Sequence, residues 1–334
     1  MPGLHRPTRI SAVSKLDGQI LPMPAQNTKP VVHTDLIGTI KVNRLAAFVR
    51  LMRPHHWVKN VFVLMGLVFG YAWAQPDIFW RVGFAFASFC FMASAVYILN
   101  DWHDRDLDRL HPKKRLRPLA SGEVQTGPAI ALAMVLFGAS VAFAGSVGFN
   151  ALVLLLSYLL LNVVYSKWLK HMVLLDVFAL SAGFQIRILA GTIGVGIPPS
   201  KWLILCGFMF TLFLGFAKRR AEMFANEADT SSRTTRKVLK HYSAALLDKY
   251  LIGTGIGAVI CYSLYTVDPA TVSKHGTESL VYTVPLVLYA VYRYLYLLHK
   301  QQIGEDPTKE FIGDRHILIT AMVWLISVIL LVRH

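Results

Sequence analysis

The stretch from Asn100 to Gly122 reads NDWHDRDLDRLHPKKRLRPLASG and gathers four carboxylates, then a run of cations. Asp101, Asp104 and Asp108 are spaced i, i+3, i+7, which on a helix places them within about 60° of one face, with Asp106 on another side. Like charges on a shared face repel by a few tenths of a kcal/mol each. A compensating cation is therefore expected. Oxygen donors of this kind suit a hard divalent ion such as Mg²⁺, which keeps positions open for phosphate oxygens. His111, Lys113, Lys114, Arg115 and Arg117 follow, with Pro112 and Pro118 breaking the helix. A carboxylate face beside a cationic loop matches a metal–diphosphate substrate, in which the metal bridges carboxylate to phosphate and Arg or Lys holds the remaining oxygens. The plainer alternative is a solvated helix end with internal ion pairs.

The elements that must position this segment are membrane helices. Of 334 residues, 54% are hydrophobic and 16% charged, against about a quarter charged in soluble domains. A span needs about 20 mostly apolar residues. Nine blocks meet that pattern, roughly 57–75, 80–100, 127–147, 149–166, 172–193, 201–218, 249–267, 279–298 and 316–332. The fold class is thus all-α and polytopic, with about nine transmembrane helices around a polar cavity that faces the cytoplasm. The third and fourth blocks are close enough to form a tight hairpin. Residues 1–40 lack an apolar signal region and read as a disordered cytoplasmic tail ahead of a transmembrane domain over 41–334. Cys90, Cys206 and Cys261 fall inside apolar blocks and read as packing residues.

Charge gives the orientation. Lys and Arg outnumber Asp and Glu by 34 to 19, a net charge of +15. Such a balance fits an anionic membrane surface or anionic substrate. Nucleic acid is excluded as a partner, because most of the length is too apolar to face water. With the N-terminus inside, 27 of the 34 basic residues fall on the inner side, counting Lys249 at the mouth of its span. Only Arg81, Lys201, Lys274 and Arg333 fall outside. This is a strong positive-inside bias. It predicts an inner-membrane protein with a cytoplasmic N-terminus and active site, and an external C-terminus. The long inner loops are 101–126 and 218–248.

Ionisable groups within spans are costly and commonly functional. Asp176 and Arg187 share a face of one helix about 16 Å apart. Asp176 is near the inner end, where it can join the carboxylate site. Arg187 lies deeper, where it can pair with a neighbour, bind a buried anion or reach outward. Lys59 and Asn60 enter the first span from RPHHWVKN (53–60). Tyr165 and Lys170 close the fourth span, and Lys218, Arg219 and Glu222 the sixth. All are candidate anion-binding groups.

The motif Asn100-Asp101-x-x-Asp104-x-x-x-Asp108, with Arg117-Pro118-Leu119-Ala120-Ser121-Gly122 after it, resembles the first signature of the UbiA superfamily of intramembrane prenyltransferases. Tyr165-Ser166-x-x-Leu169-Lys170 resembles the element before their second signature. The likeness spans about 45–330. RPHHWVKN, SAVYILND, HPKKRLRPLASG, IRILAG, PSKW and KRRAE are similar to stretches of one branch, the decaprenyl-phosphate phosphoribosyltransferases. In place of the second acidic motif, Asp-x-x-x-Asp, Asp176 is followed by Leu180, which is compatible with that branch.

The resemblance implies a Mg²⁺-dependent glycosyltransferase. It would move 5-phosphoribose from phosphoribosyl diphosphate to a polyprenyl phosphate and release diphosphate, for cell-envelope precursor synthesis. Asp101, Asp104 and Asp108 would hold the metal. Substrate contacts would come from Asn100, Lys59, Asn60, Arg117, Tyr165, Lys170, Asp176, Arg187, Lys218 and Arg219. The competing readings are polyprenyl-diphosphate transfer to an aromatic acceptor, as in quinone synthesis, and a transporter or lipid-binding protein without chemistry.

Overall fold

The computed structural model describes residues 44–70, 75–228, 237–300 and 313–332. The expected tail over 1–40, and part of the basic loop with Arg233 and Arg236, lie outside them. Every regular element among the described residues is helical. After α1 (Arg44–Met52) come a 3₁₀ helix (Pro54–Leu64), α2 (Met65–Gly70), α3 (Pro76–His103) and the short α4 (Arg105–Arg109). They are followed by α5 (Thr126–Val147), α6 (Phe149–Lys167), α7 (Leu175–Ala190), α8 (Lys201–Ala228) and α9 (Ala244–Val267). The described chain closes with α10 (Pro269–His275), α11 (Val284–Lys300) and α12 (Arg315–Val332).

Eight stretches, on α3, α5, α6, α7, α8, α9, α11 and α12, are long and apolar enough to cross a membrane. More than half of the apolar stretch of α3 and of α7 is buried, against less than a third of those of α5, α6 and α12. The candidate residues Asn100 and Asp101, and those at 176–187, therefore belong to the more buried helices.

The block expected at 57–75 differs from the other eight. It runs as the 3₁₀ helix into α2 rather than as one long α-helix. Its start is set by Arg53, at φ +53° and ψ +57°, ahead of Pro54. A 3₁₀ helix rises about 2.0 Å per residue, so these 17 residues reach roughly 30 Å, the thickness of the hydrocarbon core. Close packing on α7 accompanies this form. A Cβ on Gly66 would overlap the Gly191 carbonyl, and one on Gly191 would overlap the Val63 carbonyl.

Two further boundaries depart from the sequence blocks. α8 continues through Lys218, Arg219 and Arg220 to Ala228 instead of yielding to loop at 218. Its charged last turns stay helical because Arg219 pairs with Glu222 at i, i+3 and with groups on other helices. The block at 279–298 opens as a short 3₁₀ turn, Ser279–Thr283, before α11. α5 and α6 do form a hairpin, joined through Gly148 alone at φ +145°.

Small polar residues join the central helices. Ser88 on α3 donates to the Ser140 carbonyl on α5 at 2.8 Å, and Ser140 returns the bond to the Ser88 carbonyl at 2.8 Å. Ser181 on α7 and Thr211 on α8 are 2.6 Å apart. Association of helices in lipid relies on such close approach and interhelical hydrogen bonds. Replacing Gly191 with Ala should cost about 1–3 kcal/mol through overpacking against backbone. The check is the thermal unfolding midpoint in detergent. Gly83→Ala, where a Cβ meets nothing within 4 Å, should leave it unchanged or raise it.

Candidate active site

The acidic segment does not lie on one uninterrupted helix. α3 ends at His103, Asp104 takes φ −88° and ψ 0°, and α4 restarts at Arg105. Backbone bonds still bridge the break, from Asp104 N to Asn100 O and from Asp108 N to Asp104 O, both 2.9 Å. The helical spacing survives well enough to bring Asp101 and Asp108 together. Both are buried, at 4% exposed. Arg117 Nη1 donates to Asp108 Oδ2 at 2.6 Å and to Asp101 Oδ1 at 3.1 Å. Arg53 Nη2 donates to both Asp101 oxygens, at 2.6 and 2.8 Å. Arg53 also lies over the Tyr97 ring, 5.3 Å from its centre. Asp104 and Asn100 are exposed beside this core. Asp106 faces away and pairs with Arg105 and Arg109.

Two carboxylates on one guanidinium make a compact set of hard oxygen donors. No group of three acidic, His or Cys side chains among the described residues is close enough to hold a metal ion unaided. That donor set fits Mg²⁺, which binds through one or two carboxylates and completes its shell with water and substrate phosphate.

A second polar cluster forms where α6, α7 and α8 end on the same side. Asp176 and Arg219 are both fully buried, with Arg219 Nε donating to Asp176 Oδ2 at 2.5 Å. Arg219 also donates to Glu222 Oε2 at 2.6 Å and to the Tyr165 hydroxyl at 3.3 Å. The other oxygen of Asp176 accepts from Tyr242 at 2.9 Å. Burial pushes the Tyr242 phenol up, so it stays protonated and able to donate. Its oxygen in turn accepts from Leu174 N at 2.7 Å, in a turn where Leu174 has φ +66°. Asp176 is thus turned into this cluster and makes no bond to the Asp101 group.

Arg187 sits in a third cluster at membrane depth. It is 6% exposed and donates to Asn60 Oδ1 (2.7 Å), the Gly183 carbonyl (2.9 Å) and the Tyr158 hydroxyl (2.9 Å). It lies over the Tyr158 and Phe184 rings at 4.5 and 5.3 Å. Asn60 donates onward to Cys90 Sγ at 3.2 Å. Among the described residues no carboxylate pairs with Arg187. Its charge is met by neutral acceptors and ring faces, and it ties the 3₁₀ helix to α6 and α7. Lys59, next to Asn60 in the 3₁₀ helix, Lys170, between α6 and α7, and Lys218, on α8, are half-buried.

The candidates therefore separate into three groups. Asp101, Asp108 and Arg117 meet directly, Asp104 and Asn100 border them, and Asp176, Arg219 and Tyr165 form a distinct knot. Arg187 and Asn60 meet in a pair that spacing alone does not join. Arg53, Tyr158 and Tyr242 are missing from the sequence-derived set. Arg53 precedes a proline, which restricts its backbone, yet nothing in the sequence indicates its positive φ. Tyr158 lies seven residues before Tyr165 on the same helix, a two-turn spacing that was the available signal.

With this geometry in view, the comparisons with known proteins are decisive for family. Residues 61–314 match the UbiA prenyltransferase family. The chain belongs to that family. The decaprenyl-phosphate phosphoribosyltransferase of Mycobacterium tuberculosis is 32% identical over 298 residues, covering 88% of this chain and 97% of that protein. The protein of the same name from Mycolicibacterium smegmatis is 30% identical over 302 residues, covering 85% and 91%. A UbiA homolog from Archaeoglobus fulgidus, solved bound to GPP and Mg²⁺, shares the fold at a TM-score of 0.62 and 17% identity. That match covers 86% of this chain and all of the other. The chain is a multi-pass UbiA-family membrane protein.

Removing one partner of a buried ion pair costs about 3–5 kcal/mol. Arg219→Ala and Asp176→Asn should both lower the unfolding midpoint sharply, and Tyr242→Phe less, by about 1 kcal/mol. Asp176→Asn retaining full stability while losing substrate affinity would instead assign Asp176 to substrate.

Proposed function

We propose that this protein transfers 5-phosphoribose from phosphoribosyl diphosphate to a polyprenyl phosphate and releases diphosphate. The observation that carries this is the pairing of Asp101 and Asp108 around Arg117 at the end of α3. Similarity along nearly the full length to two phosphoribosyltransferases supports the choice of substrate. The positive-inside bias supports a cytoplasmic position for this end of the bundle, where a soluble diphosphate donor is available.

In this reading Asp101 and Asp108, with Asp104 at the exposed edge, would hold Mg²⁺. The ion would supply Lewis-acid stabilisation of the departing diphosphate. Arg117 and Arg53 already lie on the carboxylate oxygens. They are placed to turn towards phosphate oxygens as the donor enters, keeping the site near neutral. Lys59, Lys170 and Lys218 hold the remaining phosphates of donor and acceptor. The lipid phosphate is anionic at neutral pH, so it attacks the anomeric carbon without a strong general base. Bond cleavage passes through an oxocarbenium-like state by analogy with other glycosyl transfers. Asp176, Arg219 and Arg187 act by fixing the helices that carry these groups. The polyprenyl tail lies against apolar helix faces, entered sideways from the bilayer.

The experiment incubates membranes with labelled phosphoribosyl diphosphate and polyprenyl phosphate. Label should pass to lipid, stop on chelation and return with Mg²⁺. Asp101→Asn should reduce transfer by at least about a hundredfold while the protein still folds. Transfer only from a prenyl diphosphate to an aromatic acid would replace this reading with the quinone-synthesis one. Undiminished activity of Asp101→Asn would remove the carboxylates from the chemistry.

A further inference from the structure

Leu107, Leu110 and Leu116 are 72%, 84% and 71% exposed, and all three lie outside the spans. The exposed apolar side chains within α5, α6 and α12 need no partner beyond lipid tails. These three stand past the end of α3, where a cytoplasmic loop would ordinarily present polar side chains to water. Lys113, Lys114 and Arg115 are exposed between them and have no acidic partner among the described residues. The two acids of the segment are already taken, Asp106 by Arg105 and Arg109 and Asp108 by Arg117. Its surface is therefore both apolar and positively charged.

The segment is also held close to the membrane. Leu107 and Leu110 are four and seven residues beyond His103. At about 1.5 Å of helical rise per residue, Leu107 stands about 6 Å and Leu110 about 11 Å beyond the end of α3, at and just past a headgroup layer of about 5–8 Å. Arg105 Nη1 donates to Thr126 Oγ1 at 3.0 Å, tying the segment to the first residue of α5. Arg109 Nε donates to the Ala120 carbonyl at 3.1 Å. His111 Nδ1 accepts from Lys113 N and Lys114 N at 3.2 and 3.3 Å, which sets the turn carrying the three cations. Trp102, 44% exposed, precedes the segment at interface height.

We infer that residues 105–117 form an interfacial anchor, with Leu107, Leu110 and Leu116 inserted among the acyl chains of the inner leaflet and Lys113, Lys114 and Arg115 on anionic headgroups. Interleaved basic and apolar side chains are the pattern that binds anionic bilayer surfaces. Asp108 and Arg117 belong to the same segment, so the lipids that hold the anchor also steady the carboxylate pair. Turnover should accordingly be higher in anionic than in neutral bilayers.

The test uses the full chain with Leu110→Cys, spin-labelled and placed in nanodiscs of phosphatidylcholine with or without phosphatidylglycerol. The parent chain, whose three cysteines lie within spans, supplies the background. Collision with oxygen should exceed collision with a water-soluble nickel chelate several-fold in the anionic discs, and less so in neutral ones. Replacing Lys113, Lys114 and Arg115 together with Ser should erase the difference between the two lipids. Nickel accessibility like that of a water-exposed site in both lipids would overturn the inference. So would protection that appears only on adding Mg²⁺ and diphosphate, which marks a closing lid. Protection that persists in detergent and depends on protein concentration marks a second copy, and would overturn it too.

Discussion

A charged group at the edge of a hydrocarbon layer must find an opposite charge or a strong hydrogen-bond partner. The site end of this bundle depends on how that constraint is met. Asp101 and Asp108 are buried beside each other, an arrangement that would not hold if both remained negative and unaccompanied. Arg53 and Arg117 neutralise them. Arg53 comes from the start of the 3₁₀ helix and Arg117 from the loop before α5. The pairing therefore fixes three separate parts of the chain around the end of α3. The turns after α4 follow the same logic, because they return the chain so that Arg117 can reach both acids.

The same constraint recurs deeper with different solutions. Arg219 is compensated by Asp176 and Glu222, which locks α7 to α8. Arg187 instead rests on neutral oxygens and the faces of Tyr158 and Phe184, a solution open to a guanidinium because it is planar and weakly hydrated. Buried ion pairs of this kind contribute little net stability, but a pair with one partner removed is strongly unfavourable. They act as fixed points that define one helix arrangement. The polar groups of the candidate site inherit their positions from these fixed points.

Much of the architecture is legible in the sequence. Apolar length locates eight spans, most of them to within a few residues, since burial in lipid leaves few alternatives to helix. The tight hairpin at Gly148 and the isolation of Asp106 follow from spacing alone. The first segment is less legible, because its 3₁₀ form goes with close contact to Gly191, just past the end of a distant helix. At the site, the i, i+3, i+7 spacing identifies Asp101 and Asp108, whose partner Arg117 is nearby in sequence. The positions of Asp176 and Arg187 on one helix are also readable. Their separate partners, Tyr242 and Asn60, are not, because those contacts join residues 66 and 127 apart. The role of Arg53 is hidden for the same reason, 48 residues from its acid.

The central claim is that the Asp101–Asp108 pair joins a divalent ion to the phosphates of the donor. Mn²⁺ used in place of Mg²⁺ allows a direct measurement, by reading phosphorus hyperfine coupling to the bound ion in the presence of phosphoribosyl diphosphate. The account predicts a clear phosphorus coupling in the parent protein and its loss in Asp108→Asn. A coupling of equal strength in that variant, or none in the parent with donor bound, would contradict it.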